Sequence, residues 1–367
     1  NLKPSSFEKL SIKNINLQIK KVDLEIFNYL EIKYFDENNK EFSQIERIEN
    51  EFFSKENFFK KQNNNIGFDI KISEKNYVIE SGKYFVKKPI IVPSGYNLMI
   101  KAGTKLIMSP DTYIKVNNGI IRFIGEKDKP IIIGSVNPAE YWQGIYVNSN
   151  GLKDTKSLLK YVELSNFTYF NDNKVQLTGG INFINGNLDL HNTIISNNLS
   201  EDAVNLVKNK FDIQNIVFNN IKSDGIDVDF GKGEINNVSL NYVGGDAIDF
   251  SGSNVNLRNI MINNTGDKAI SVGENSLIKI KNIKISNSKI GIAAKDSSEV
   301  NVEKANISDC GMYDYAVYKK KSYFSNSIMN VENSISCNTP ISQKQNKLTI
   351  NGKKVKNKKI NIKKLYE

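Results

Sequence analysis

The chain holds a single histidine, His191, among its 367 residues. That excludes a histidine-based nucleophilic triad or a histidine-rich zinc site unless a partner supplies ligands. His191 follows Leu190 where a strand-like run meets a turn, which points to a structural role. The two cysteines, Cys310 and Cys337, lack metal-ligand spacing. They lie about one coil of the repeat below apart, so a disulfide and two buried thiols both stay open. With 7 prolines and 23 glycines, the chain is neither collagen-like nor a disordered linker. No apolar run reaches the roughly 18 residues of a membrane span. No phosphate-binding loop and no nucleic-acid motif occurs, although the net charge is +10. Acids and bases alternate along most of the chain, so that charge favours an acidic glycan or an anionic surface over nucleic acid. The first residue is Asn1 rather than Met, which fits a removed leader or anchor.

Asparagine, isoleucine, lysine and serine dominate, and they are set in a repeat. The segments 203–207, 225–229, 247–251, 269–273 and 291–295 recur every 22 residues. A fixed period of this size marks a solenoid, in which each repeat buries its apolar face only against its neighbours. Within a repeat the apolar residues alternate, as in Ile248/Phe250, Val255/Leu257 and Ile260/Ile262. Period-2 alternation of β-branched residues is strand-like. Three short strands per coil predict a right-handed parallel β-helix. A leucine-rich repeat ranks below it, because the arms alternate like strands. Asn192, Asn215, Asn237, Asn259 and Asn282 recur in a second register. Stacked coils bring like residues to about 4.8 Å, so these five are expected to form a buried ladder in one turn.

The predicted organisation is an N-terminal α+β cap over 1–75, the β-helix over 76–340 and a basic cap or tail over 341–367. Strands are expected between Leu10 and Tyr34. An amphipathic helix is expected from Ser43 to Lys61, with Ser43 as N-cap and Glu46 three residues on. A loop near 150–158 or 168–176 is expected to project from the stack.

The 22-residue register also places the candidate site. Val204, Ile226, Ile248, Ile270 and Ile292 form one core column, and Leu206, Val228, Phe250, Val272 and Ala294 another. Asp227 and Asp249 then face outward, one coil apart. Two charges about 5 Å apart repel by roughly 3 kcal/mol at an effective dielectric of about 20. Asn or Ser would avoid that cost, so the pair points to a shared proton, a bound cation or a nearby lysine. Asp224, Asp227, Asp246, Asp249, Lys268 and Lys295 are the candidate catalytic residues. Asp229, Ser251, Ser271, Glu274, Tyr318 and Lys320 are the candidate substrate contacts. No dedicated metal site is expected, and Ca²⁺ is the one cofactor the acids would suit. A solvated, non-functional strand face is the rival reading.

The turns and apolar pairs of 91–106, with Pro130, Ile133, Trp142 and Val147, resemble bacterial surface β-helix proteins of the pectin-lyase-like superfamily. Ser223, Asp224, Gly225, Ile226 and Asp227 are similar to a polygalacturonase segment, and Asp246 falls where that family carries an aspartate pair. Gly245 replaces the other aspartate, Lys268 stands in place of its histidine, and its Arg-Ile-Lys segment is missing, with Lys295 one coil on. The resemblance implies an exported, periplasmic or cell-surface protein that processes an acidic polysaccharide as a lyase, epimerase or glycosidase. The alternative is a non-catalytic spacer, adhesin or glycan-binding rod. An enzyme requires the Asp/Lys columns to lie in a walled cleft; a spacer would show them on an open face.

Overall fold

The computed structural model describes residues 30–35, 41–46 and 68–366, apart from 136, 138, 153, 154, 173 and 337. Two compact units are present, Asn1–Lys61 and Gln62–Glu367. In the first, Leu30–Phe35 pairs antiparallel with Glu41–Glu46. The helix expected from Ser43 therefore does not form over its first turn. Ser43 and Glu46 are strand residues opposite Lys33 and Leu30. A neighbouring strand supplies backbone partners at once, whereas a helix must first order a turn for a single hydrogen bond. Residues 47–61 and the strand expected before Leu30 lie outside the described residues.

The second unit is a right-handed parallel β-helix. One face runs through twelve strands in successive parallel pairings, from Ile90–Val92 to Asn357–Lys358. We call it the first face. Its register is the one the 22-residue period dictates: Val204 stands against Ile226, Ile226 against Ile248, and Ile248 against Ile270. Those residues and Leu206, Val228, Phe250 and Val272 are fully buried. Covering a Val, Leu, Ile or Phe side chain contributes about 1.5–3 kcal/mol, and every coil repeats the gain.

The coil turns at residues held in the left-handed backbone region. One corner carries Asn192, Asn215, Asn237, Asn259 and Asn282, with φ from 49° to 57°. Another carries Asn197, Asn220, Asn264 and Asn287. Asparagine tolerates this conformation because its short side chain bonds locally. Along the first corner the Asn215 amide donates to Asn192 (3.1 Å), Asn237 to Asn215 (2.6 Å) and Asn282 to Asn259 (2.7 Å). Asn259 donates to Asn236 instead (3.0 Å), so the ladder breaks once. The expected burial is corrected: Asn215, Asn237, Asn259 and Asn282 are exposed. A left-handed corner turns its side chain outward, leaving the apolar residues on either side to fill the core.

Cys310 is a buried free thiol whose Sγ lies 3.3 Å from the Ser288 hydroxyl. Cys337 lies outside the described residues.

Candidate functional site on the first face

Two segments fold back over the first face. The loop at 168–178 lays Phe170 on Tyr146, with ring centroids 5.1 Å apart. Its Asp172 pairs with the outward Lys115. Near the other end, Leu365 packs with Ile290, Ala293, Ala316, Tyr318 and Ile341, with Ile360 and Ile362 beside them. Tyr366 then hydrogen-bonds the Tyr318 hydroxyl at 2.7 Å. Between these covers the outward column reads Asn205, Asp227, Asp249 and Ser271 in strict register.

The carboxylates sit on two levels. At the turn entering the strands, Asp224 Oδ1 accepts the Asp246 N–H (2.9 Å), and Asp246 Oδ1 accepts the Lys268 N–H (2.8 Å). Asp202 accepts from Thr178 and Asn205 (3.0 and 3.2 Å). Along the strands, Asp227 and Asp249 stack outward, with Asp229 and Ser251 as register partners two positions on. Glycine makes room at two points. A Cβ at Gly245 would fall 2.0 Å from Asp224 Oδ1, so the residue that departs from the polygalacturonase aspartate pair leaves space for Asp224. A Cβ at Gly273 would fall 2.8 Å from Lys295 Cε.

Lys295 lies back across Gly273, donates to Ser271 (2.8 Å) and reaches Asp249 at 3.7 Å. Lys268 approaches Asp246 at 3.4 Å and also pairs with Asp267. The pairing register shifts between Thr265 and Lys268, just where the lysine enters the site. Both lysines stand on the outer side of the solenoid, yet Lys268 is 1% and Lys295 4% exposed. The cover is a residue the sequence did not single out. The Tyr366 ring lies 4.7 Å from Lys268 Nζ and 4.4 Å from Lys320 Nζ. Tyr318, expected to line the site, is fully buried beneath it. Glu274 joins the rim, accepting from Ser251 (2.7 Å) and pairing with Lys321 (2.6 Å).

The electrostatics follow from this crowding. Burial, with the charges of Asp202, Asp229, Asp249 and Asp224, pushes Asp227 up to about 9. Burial and the neighbouring Asp246 raise Asp224 to about 7, and burial raises Asp202 to about 6. Asp249 is also raised by burial, although Lys295 opposes the shift. Burial alone would lower Lys268 and Lys295; Asp246 and Asp267 for the first, and chiefly Asp249 for the second, carry both above the ordinary lysine value. At neutral pH the cluster therefore holds two fixed ammonium groups and carboxyls able to gain or lose a proton.

Oxygens of Asp224, Asp246 and Asp249 lie within 4.8 Å of one another. Calcium takes about 6–8 oxygen ligands. Here one oxygen each of Asp224 and Asp246 already holds a backbone N–H, and Lys268 and Lys295 crowd Asp246 and Asp249. The donor set fits lysine neutralisation and does not fit a calcium cage. On another face, His191 Nε2 pairs with Asp212 (3.2 Å) beside Asp189, which Lys156 holds at 2.7 Å.

The register thus brings together Asp224, Asp227, Asp229, Asp246, Asp249, Ser251, Lys268, Ser271, Glu274 and Lys295, with Lys320 at the Tyr366 edge. Asp202, in the turn column with Asp224 and Asp246, and Lys321, beyond Lys320, stand beside them, and Tyr366 joins them without having been singled out. The switch of the outward column from Asp249 and Ser271 to Ala293 and Ala316 was the available signal that something covers the later coils.

No protein-family model matches the chain, and no curated protein matches it. Among solved structures it is similar to a mutant of a periplasmic alginate epimerase, at 12% identity and a TM-score of 0.43, covering 76% of this chain and 79% of that one. It is similar to tailspike protein 2 of Escherichia coli O157:H7 bacteriophage CAB120, at 12% identity and a TM-score of 0.47, covering 75% of this chain and 42% of that one. An α-1,3-glucanase catalytic unit from Streptomyces thermodiastaticus shares 10% identity, with a TM-score of 0.26, over 78% of this chain and 66% of its own.

Proposed function

We propose that the protein is a carbohydrate-active β-helix that processes an acidic, uronate-containing glycan on its first face. The observation that carries this reading is the pair of buried lysines on the outer side of the solenoid, set among carboxyls whose affinity for protons is raised. Nothing in the packing of a solenoid requires such a cluster, and burying charge is costly unless it is paired. A uronate carboxylate suits the edge where Lys268, Lys295 and Lys320 gather. Lys268 and Lys295 are held above the ordinary lysine value, so their part is to offset negative charge rather than to accept a proton.

Proton transfer then falls to Asp224 and Asp227, the first near neutrality and the second protonated there. Abstraction of the proton beside a uronate carboxylate, leading to elimination or epimerisation, needs such a base and fixed cations to hold the charge that develops. This favours lyase or epimerase chemistry over hydrolysis. The covers at both ends favour an enzyme over a rigid spacer, which has no use for a walled face. Such glycans lie outside the cytoplasm, so the reading carries an exported location with it.

The test is a panel of polyuronates read by absorbance of unsaturated uronate, by reducing ends and by uronate epimer ratio. Wild type is expected to act on at least one polymer, with Asp227→Asn and Lys295→Met each lowering turnover at least a hundredfold. A panel with no turnover and no binding removes the proposal.

A further inference from the structure

The first face is not a through-groove. At one end Phe170 is fully buried against Tyr146, and Asn182, the next outward residue, is 1% exposed. At the other end Ala293 and Ala316 are fully buried beneath the 357–366 segment, and Tyr366 stands over Lys268. Ser271 is itself closed off by Lys295. The open floor is therefore the coils of Asn205, Asp227 and Asp249. Coils rise by about 4.8 Å, and a linked pyranose advances by a similar step. A chain lying along the solenoid axis has room for about three or four sugar units before it meets a wall.

The charge is also unequal along that floor. Carboxyls crowd the middle, while Lys268, Lys295 and Lys320 gather at the Tyr366 wall. Lys320 is pushed below the ordinary lysine value, first by burial and then by Lys295 and Lys268. An anion placed there relieves that repulsion.

We infer that the site takes the end of an acidic glycan chain, or a short oligosaccharide, with a terminal uronate against Lys320 and the Tyr366 wall. The interior of a long polymer is excluded along the axis. This rests on the acidic-glycan reading and adds an end-on mode of recognition to it.

The test is calorimetric titration of the full chain with oligogalacturonates and oligomannuronates of two to eight units, and with long polymers of both sugars cut to different lengths. Affinity is expected to rise to about four units and then stay level within twofold. Long polymers at equal mass should bind in proportion to their number of chain ends. A rise of tenfold or more between four and eight units, or capacity that follows mass, overturns the inference and leaves the acidic-glycan reading standing. Absence of binding at every length sinks that reading, and this inference with it. In Tyr366→Ala the level region is expected to begin at least one unit later, because the wall is shortened. An unchanged length dependence in a folded Tyr366→Ala protein overturns the assignment of that wall.

Discussion

Asp227 concentrates the tension of the site in one side chain. Its carboxyl is half-buried among Asp202, Asp229, Asp249 and Asp224, which raises its proton affinity to about 9. The folded protein therefore binds this proton more tightly than the unfolded chain, whose aspartate titrates near the ordinary value. Stability from this group is full below about pH 4 and is lost as pH rises toward 9. Asp227→Asn is expected to flatten that decline and raise the melting midpoint at neutral pH by about 2 °C or more. Thermal unfolding of both proteins across this range checks it; a variant less stable throughout would sink the account. The placement of Lys295 depends on space, since its path lies over Gly273. Gly273→Ala should leave the core columns intact, displace Lys295 from Ser271 and Asp249, and weaken uronate binding about tenfold or more, measured by titration. The outward stacking of Asp227 and Asp249 was legible from the 22-residue period alone. The burial of Lys268 and Lys295 was not, because neither the period nor the alternation reports what lies above a face.

The corner is the element that makes this solenoid. Each corner asks one residue for a left-handed backbone, and asparagine meets the demand in most coils. Phe230 and Tyr242 meet it with bulky rings, at φ 54° and 57°, and both rings are exposed. Two contributions to a corner asparagine can be separated. Asn259→Ala should cost about 1–2 kcal/mol, because a Cβ without a local hydrogen bond disfavours that backbone. Asn259→Gly should be nearly neutral, since glycine adopts it freely and the ladder bonds lost are exposed. Chemical denaturation of both variants decides the matter. Equal losses would show that the side-chain ladder, not the backbone, holds the corner. Asparagine spacing revealed the ladder; its exposure could not be read, because a buried and an outward corner share one period. The strand pair at Leu30–Phe35 and Glu41–Glu46 was misread for a related reason: Ser43 and Glu46 carry a helix-start pattern, but a pairing partner was at hand.

At the scale of the whole molecule, the late coils depend on the segment that folds back over them. Leu365 is 1% exposed against Ala293, Ala316 and Tyr318. Leu365→Ser should release this cover at a local cost of about 2–3 kcal/mol while the coils stay stacked, since each is held by its neighbours. Hydrogen exchange is expected to speed up around 290–318 and to stay slow around 204–250; uniform loss of protection would mean that the cover holds the entire solenoid. By itself, the sequence determined the coil, its core columns and the outward file of acids, because all three follow from local alternation multiplied by a fixed period. The tertiary structure alone decided that the file lies in a closed stretch. That closure is made by residues far apart in the chain, the 168–178 loop and Tyr366, and no repeat encodes where a non-repeating segment comes to rest.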